Sequence, residues 1–241
     1  MMETIQYNRT LAVYKEVDVL VVGAGSAGIG AAICAARNGA KTLVIEQGGY
    51  VGGEATRGLV GPFMTSYDAN NEEMVIQGIY KEIVDEMVKE GGAIDPATVT
   101  SENSYSGFYK IGHAHVGPFD KECFKKVSTR LIIESGAKIL FHTSFIDVIM
   151  DGSRISGVVI ANKSGISIIK AGIVIDCSGD ADVAARAGVS YIIGNEETGN
   201  IQPATLFFRV YDVDTEALTA HIAEHSDKIR PFFGPFSWLI K

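Results

Sequence analysis

The segment VDVLVVGAGSAGIGAAICAARNGAKTLVIE, residues 17–46, limits the possible folds of this chain more than any other. From Val17 to Ala36 it is apolar or small apart from Asp18 and Ser26, which is about the ~20 residues of a membrane span. Its composition argues against one. Four glycines and a serine sit in its middle, and Val19–Val22 is rich in β-branched residues. The pattern predicts a buried strand over Asp18–Val22 and a turn over Gly23–Gly28. A helix over Ala27–Arg37, stopped at Gly39, and a second buried strand over Thr42–Ile45 follow.

Each residue type in the turn has a physical task. Gly23 turns the chain sharply off the strand, Gly25 lets a pyrophosphate approach the backbone, and Gly28 lets the helix pack on the strand. The helix start then offers free N–H groups and a positive dipole end to phosphates. Glu46, at the tip of the second strand, can accept hydrogen bonds from both ribose hydroxyls of an adenosine and would repel a 2′-phosphate. GxGxxG alone is weak, since a chain this glycine-rich would hold it about 0.3 times by chance. The flanking strand, helix and acidic strand end make it an adenine dinucleotide site.

A second glycine-rich loop, Gln47–Gly58, follows at once, with five glycines in 12 residues. Such a loop must pass close to a bulky partner. A plain NAD dehydrogenase has no use for it, whereas a ligand extending beyond its adenosine half does. The stretch 172–188, GIVIDCSGDADVAARAG, predicts another buried strand over Ile173–Cys177. A sharp turn at Ser178-Gly179-Asp180 and a short helix over Ala181–Ala187 follow it. This unit belongs beside the first in a parallel sheet, where ligands bind at strand C-terminal ends.

Other classes are excluded by charge and cysteine usage. The net charge of −8 and the absence of a basic run argue against nucleic acid and against a polybasic membrane patch. Cys34, Cys123 and Cys177 are odd in number and widely spaced, which suits free thiols in the cytoplasm. No CxxC and no zinc-type spacing is present, so no metal is expected. The N-terminal residues lack the apolar region of a signal peptide.

The blocks GAGSAG…E…GGYVGGEAT, IDCSGDADVAARAG and QPATLFFRV together resemble the FAD-dependent oxidoreductases of the glutathione-reductase-2 structural class. Within it they are most similar to the branch of fumarate reductase-like flavoproteins. The resemblance spans about Val17 to Val210 and implies an α/β fold. That fold is a Rossmann-like FAD-binding parallel sheet with an inserted β-meander, plus part of a second α+β substrate domain. It implies FAD-binding residues 16–66 and 116–194, with 67–115 and 195–241 forming an incomplete substrate or cap domain. It further implies that Gly23, Gly25, Ser26 and Gly28 hold the pyrophosphate and that Glu46, with Gln47, meets the adenosine ribose. Gly52, Gly53, Ala55 and Thr56 would pass near pyrophosphate and flavin, Phe145 would offer its backbone to adenine, and Ser178, Gly179 and Asp180 would close over the ribose and pyrophosphate. The chemistry implied is hydride exchange between FAD and an unidentified small molecule. No second GxGxxG exists for a nicotinamide domain, and the glycine-rich loop has no His or Cys to tether a flavin, so FAD is expected to be non-covalent.

The remaining chain is less specific. Gly78–Glu90 has helical apolar spacing. Asp120 reads as the N-cap of a helix to about Glu134, with Phe119 and Phe124 as a hydrophobic staple. Short strands over Lys138–His142, Phe145–Met150, Ile155–Ala161 and Ile166–Ile169 form the meander. A strand over Gln202–Val210 is expected to open a second sheet. Arg57, which could hold a substrate carboxylate or tune the flavin, and His113, a proton donor on an aromatic loop shared with His115, are the catalytic candidates. Tyr67 and Arg209 are further options. The aromatic C-terminal residues 230–241 suggest a fragment, or a chain completed by another copy or a second protein.

Overall fold

The structure is a computed structural model and describes residues 5–6, 8–100, 114–208 and 211–224. The elements in chain order are β1 (Val13–Val22), α1 (Ser26–Arg37), β2 (Thr42–Ile45), α2 (Ile79–Lys89), α3 (Lys121–Glu134) and β3 (Lys138–Leu140). They continue with β4 (Ser144–Asp151), β5 (Arg154–Asn162), β6 (Gly165–Asp176), α4 (Asp182–Arg186) and α5 (Thr215–Glu224). Contacts divide the chain into two compact units, Met1–Arg57 with Lys125–Pro203 and Gly58–Phe124 with Ala204–Lys241.

The first unit holds one six-stranded sheet in the order β3-β2-β1-β6-β5-β4. β1 pairs in parallel with both β2 and β6, and β2 with β3. β4, β5 and β6 are joined antiparallel, as a meander. This is a Rossmann-like α/β fold with the meander inserted before the last nucleotide-side strand. The core consists of Val17, Leu20 and Val22 of β1 and Leu43 and Ile45 of β2, packed with Val158, Ile160, Ile169, Ala171 and Val183. Each large apolar side chain buried there contributes about 1.5–3 kcal/mol. β1 and β2 are central strands, which is why both faces of Leu20–Val22 and Leu43–Ile45 are apolar.

Three sequence expectations are corrected. The separate strands over Ile166–Ile169 and Ile173–Cys177 are one strand, β6. β1 begins at Val13 rather than Asp18, so Glu16 and Val17 pair with Lys170 and Ala171 across the expected break. The expected strand over Gln202–Val210 is absent over 202–208, whose residues are exposed and in irregular backbone. An apolar β-rich run needs a neighbour to satisfy its backbone, and none is paired with it among the described residues; Arg209 and Val210 lie outside them.

In the second unit, α2 buries Ile83, Val84 and Met87. Phe63 stacks on Phe119 at 4.1 Å between ring centroids and meets Tyr80 and Phe124 edge-on. Asp120 caps α3 as read from the sequence. Its Oδ1 accepts from Cys123 N at 2.8 Å, and the Phe119 and Phe124 rings lie 5.6 Å apart. No helix of the described residues is long and apolar enough to cross a membrane.

Replacing Asp120 with Ala should remove one satisfied helix N–H and cost about 1 kcal/mol. The expected readout is a lower urea midpoint with an unchanged slope.

Candidate functional site

The parallel order brings the tips of β1, β2 and β6 together, and three loops meet there. Gly23 N donates to Ile45 O at 2.9 Å, Cys177 N to Val22 O at 2.8 Å, and Gly52 N to Ala24 O at 2.8 Å. These bonds join the turn after β1, the glycine-rich loop after β2 and the turn after β6. Of the residues singled out in sequence, Gly23–Gly28, Glu46–Thr56 and Ser178–Asp180 therefore converge at one end of the sheet. Phe145 lies in β4, paired with Ile160 and packed on the core, two residues after Thr143, whose N–H donates to Glu46 O at 2.9 Å.

The three motif glycines are glycine for different reasons. A Cβ on Gly28 would fall 1.9 Å from Gly23 O, and one on Gly23 would fall 2.3 Å from Cys177 O. Both positions are closed by backbone. A Cβ on Gly25 would meet only Gly53 Cα, at 3.9 Å, an ordinary contact. Gly25 is thus not required by packing within the protein. It is the N-cap of α1, makes no side-chain hydrogen bond, and is followed by a first turn with no acidic residue. Ser26 and Ala27 are exposed, so the positive end of α1 faces outward and is open to an anion.

Glu46 ties two of the loops together. Its Oε2 accepts from Ala24 N at 2.9 Å and its Oε1 from Gly48 N at 2.6 Å. Each oxygen retains a lone pair for a ligand hydroxyl. A Cβ on Gly53 would fall 2.9 Å from Gly25 Cα, so the second glycine-rich loop touches the first where the helix begins. Thr56 is buried, and its hydroxyl donates to Val51 O at 2.9 Å; it shapes the loop from within. Ala55 is also buried, whereas Gln47 is exposed.

The turn after β6 is organised by Asp176, which sequence reasoning passed over. Its Oδ1 accepts from Ser178 Oγ at 2.6 Å and Ser178 N at 3.1 Å, and its Oδ2 from Ala184 N at 2.9 Å. Partial burial pushes this carboxyl up, but the hydrogen bonds from Ser178, Ala184 and Val183 outweigh it and hold the carboxyl below the ordinary aspartate value. Asp180 and Gly179 are exposed at the turn. Burial, with the Asp176 charge second, pushes the Cys177 thiol up. It is therefore a neutral packing group at physiological pH rather than a nucleophile.

Arg57 is exposed, and its guanidinium lies over Gly48 beside Glu46. His113, with Arg209, lies outside the described residues. His115, in the second unit, has φ 59°, stacks on Tyr67 at 3.8 Å and places Nδ1 2.9 Å from Pro96 O. A carbonyl only accepts, so Nδ1 carries the proton. No group of three metal-ligating side chains occurs among the described residues.

The closed and open glycines should separate in experiment. Gly28→Val should cost about 3 kcal/mol or more in urea unfolding, because backbone atoms cannot move aside. Gly25→Ala should leave stability within about 1 kcal/mol and, where a dinucleotide pyrophosphate rests on this turn, weaken its binding at least about tenfold, since a Cβ there narrows the approach to the backbone. For Asp176, a depressed pKa means its contribution is present above about pH 3.9 and is lost as pH falls through the lower folded value. Asp176→Asn should therefore destabilise at pH 7, with the difference from wild type shrinking below about pH 4 in urea titrations.

Comparison with known proteins agrees with this geometry. The chain is 34% identical over 143 residues to a thiamine thiazole synthase of Aeropyrum pernix, covering 59% of this chain and 43% of that protein. It is 29% identical over 179 residues to a digeranylgeranylglycerophospholipid reductase of Picrophilus torridus, covering 73% and 43% respectively. The chain thus spans about two fifths of the length of these curated relatives. Its fold matches the crystal structure of L-proline dehydrogenase from P. horikoshii with a TM-score of 0.51 at 18% identity, over 75% of this chain and 58% of that one. The family model described as FAD dependent oxidoreductase matches residues 18–240, nearly the whole sequence. The chain belongs to the FAD dependent oxidoreductase family.

Proposed function

We propose that this protein holds FAD non-covalently and exchanges hydride between FAD and a small-molecule substrate. One observation carries the reading: Gly23 and Gly28 are closed by protein backbone, while Gly25 and the first turn of α1 are open to an anion. A turn that only packed a helix on a strand would have no use for Gly25. In this reading Gly23, Gly25, Ser26 and Gly28 surround the pyrophosphate and the α1 dipole stabilises it. Glu46 and Gln47 meet the ribose, and Gly52, Gly53, Ala55 and Thr56 line the path towards the flavin. Phe145 serves the adenine, and Ser178, Gly179 and Asp180 close the remaining side. FAD, when bound, supplies the two-electron chemistry; the chain's own groups bind it, orient it and exclude water. His113 is the proposed substrate-side group, in a protein whose residues 16–66 and 116–194 bind FAD and whose residues 67–115 and 195–241 serve the substrate. The three sequence blocks support placing it in the glutathione-reductase-2 class near the fumarate reductase-like branch, and its three free cysteines support a cytoplasmic setting.

A second reading is an FAD-binding subunit or fragment that works only with another copy or a second chain. Tyr191, Ile192, Ile193 and Ile201 favour it, being 63%, 67%, 72% and 70% exposed.

The purified protein should carry, or take up, FAD with a flavin visible spectrum, and denaturation should release all of it as free FAD. A colourless protein that takes up none would overturn the first reading. Light scattering coupled to chromatography separates the two: turnover by an isolated monomer excludes the second.

A further inference from the structure

The glycines at 48 and 49 are not explained by backbone conformation, since neither is among the residues with positive φ. They are explained by space. A Cβ on Gly48 would fall 2.6 Å from Arg57 Nη2 and 3.1 Å from Glu46 Oε1. A Cβ on Gly49 would fall 2.9 Å from His142 Cε1 and 3.1 Å from His142 Nε2. A side chain from elsewhere lies over each glycine. The next residue continues the pattern, with Lys125 Nζ 3.7 Å from the centre of the Tyr50 ring. Three successive loop residues thus each receive a basic side chain from a different part of the first unit.

His142 reaches this position through an uncommon backbone conformation. Its φ is 50°, in the left-handed region, and its N–H donates to Gly48 O at 3.0 Å. A non-glycine residue held there costs free energy and is a pointer to function. The neighbouring bond from Thr143 N to Glu46 O, at 2.9 Å, fixes the same chain segment to the residue at the tip of β2. Within the described residues, neither the Arg57 guanidinium nor the His142 ring has a hydrogen-bond or ion-pair partner. Both are exposed, flat groups resting on a floor without side chains, beside the one carboxylate suited to a ribose.

We propose that Arg57 and His142 are specificity residues for the adenosine end of the dinucleotide. This rests on the FAD reading above. Glu46 takes the ribose hydroxyls. Arg57 offsets the Glu46 charge, and the guanidinium and imidazole planes provide the stacking surface for the purine. Arg57 thereby acts on the nucleotide rather than on substrate, and Gly48 and Gly49 leave room beneath both planes.

The test is calorimetric titration of the full chain with FAD and with ADP, which has only the adenosine end. Arg57→Ala and His142→Ala should each weaken both ligands about tenfold and leave the thermal midpoint of the unliganded protein unchanged. His142→Phe, which keeps a flat ring, should restore most of the ADP affinity. ADP affinities within twofold of wild type in both alanine variants would overturn the proposal while leaving the FAD reading intact. Tighter binding of 2′-phosphorylated ADP than of ADP would also overturn it, because the two groups would then be a phosphate site. Wild-type protein that binds neither FAD nor ADP would overturn this proposal and the FAD reading together.

Discussion

The first turn of α1 lies almost in contact with the turn that leaves β1, so near that no atom fits between Gly28 and the Gly23 carbonyl. That closeness fixes the direction of α1 and the point at which its N–H groups end. Cys177 closes on Gly23 from the other side, so the tip of β6 is set by the same contact. The remaining geometry of the sheet end, including the reach of Glu46 back to Ala24 and the crossing of Gly53 over Gly25, depends on it.

Charge at this end of the molecule is arranged as a balance. The α1 terminus presents unpaired donors and no acid in its first turn, while Glu46 accepts from the backbone N–H groups of Ala24 and Gly48, and Asp176 from Ser178 and from Ala184 N in α4. An anion approaching the helix meets no acidic side chain in its first turn. Acceptors committed to the backbone are rigid, and rigid loops lose little entropy on binding.

The sequence was most legible where local chemistry and tertiary context agree. The strand, glycine turn, helix and acid of residues 17–46 were readable because every residue type there answers to one physical demand. The Asp120 cap was readable because a helix start carries its own side-chain signature. The continuity of β6 was not, because Ala171 and Gly172 look like a break until β1 is known to extend back to Val13 and supply their partners. The stretch 202–208 misled for the converse reason: its residues favour a strand, yet pairing comes from a neighbour and not from propensity. At the site, the roles of Asp176 and His142 were hidden. The Asp-x-Ser spacing hints at the first, but a histidine held over a glycine by a left-handed backbone leaves no trace in the spacing of residues.

β6 is a single strand of 12 residues that answers to two masters. Its first part is laid down antiparallel against β5 and its later part parallel against β1, with Ile168 and Ile169 engaged on both sides. The tight reversal between Asn162 and Gly165 is therefore geared to the loop at Ser178. Because side chains alternate faces with every step, adding one residue inside this strand would rotate every later one to the opposite face and carry Asp176 out of reach of α4. Extra residues are accordingly better absorbed at the meander's tips, where they leave the register of β6 and the turn at Ser178 undisturbed.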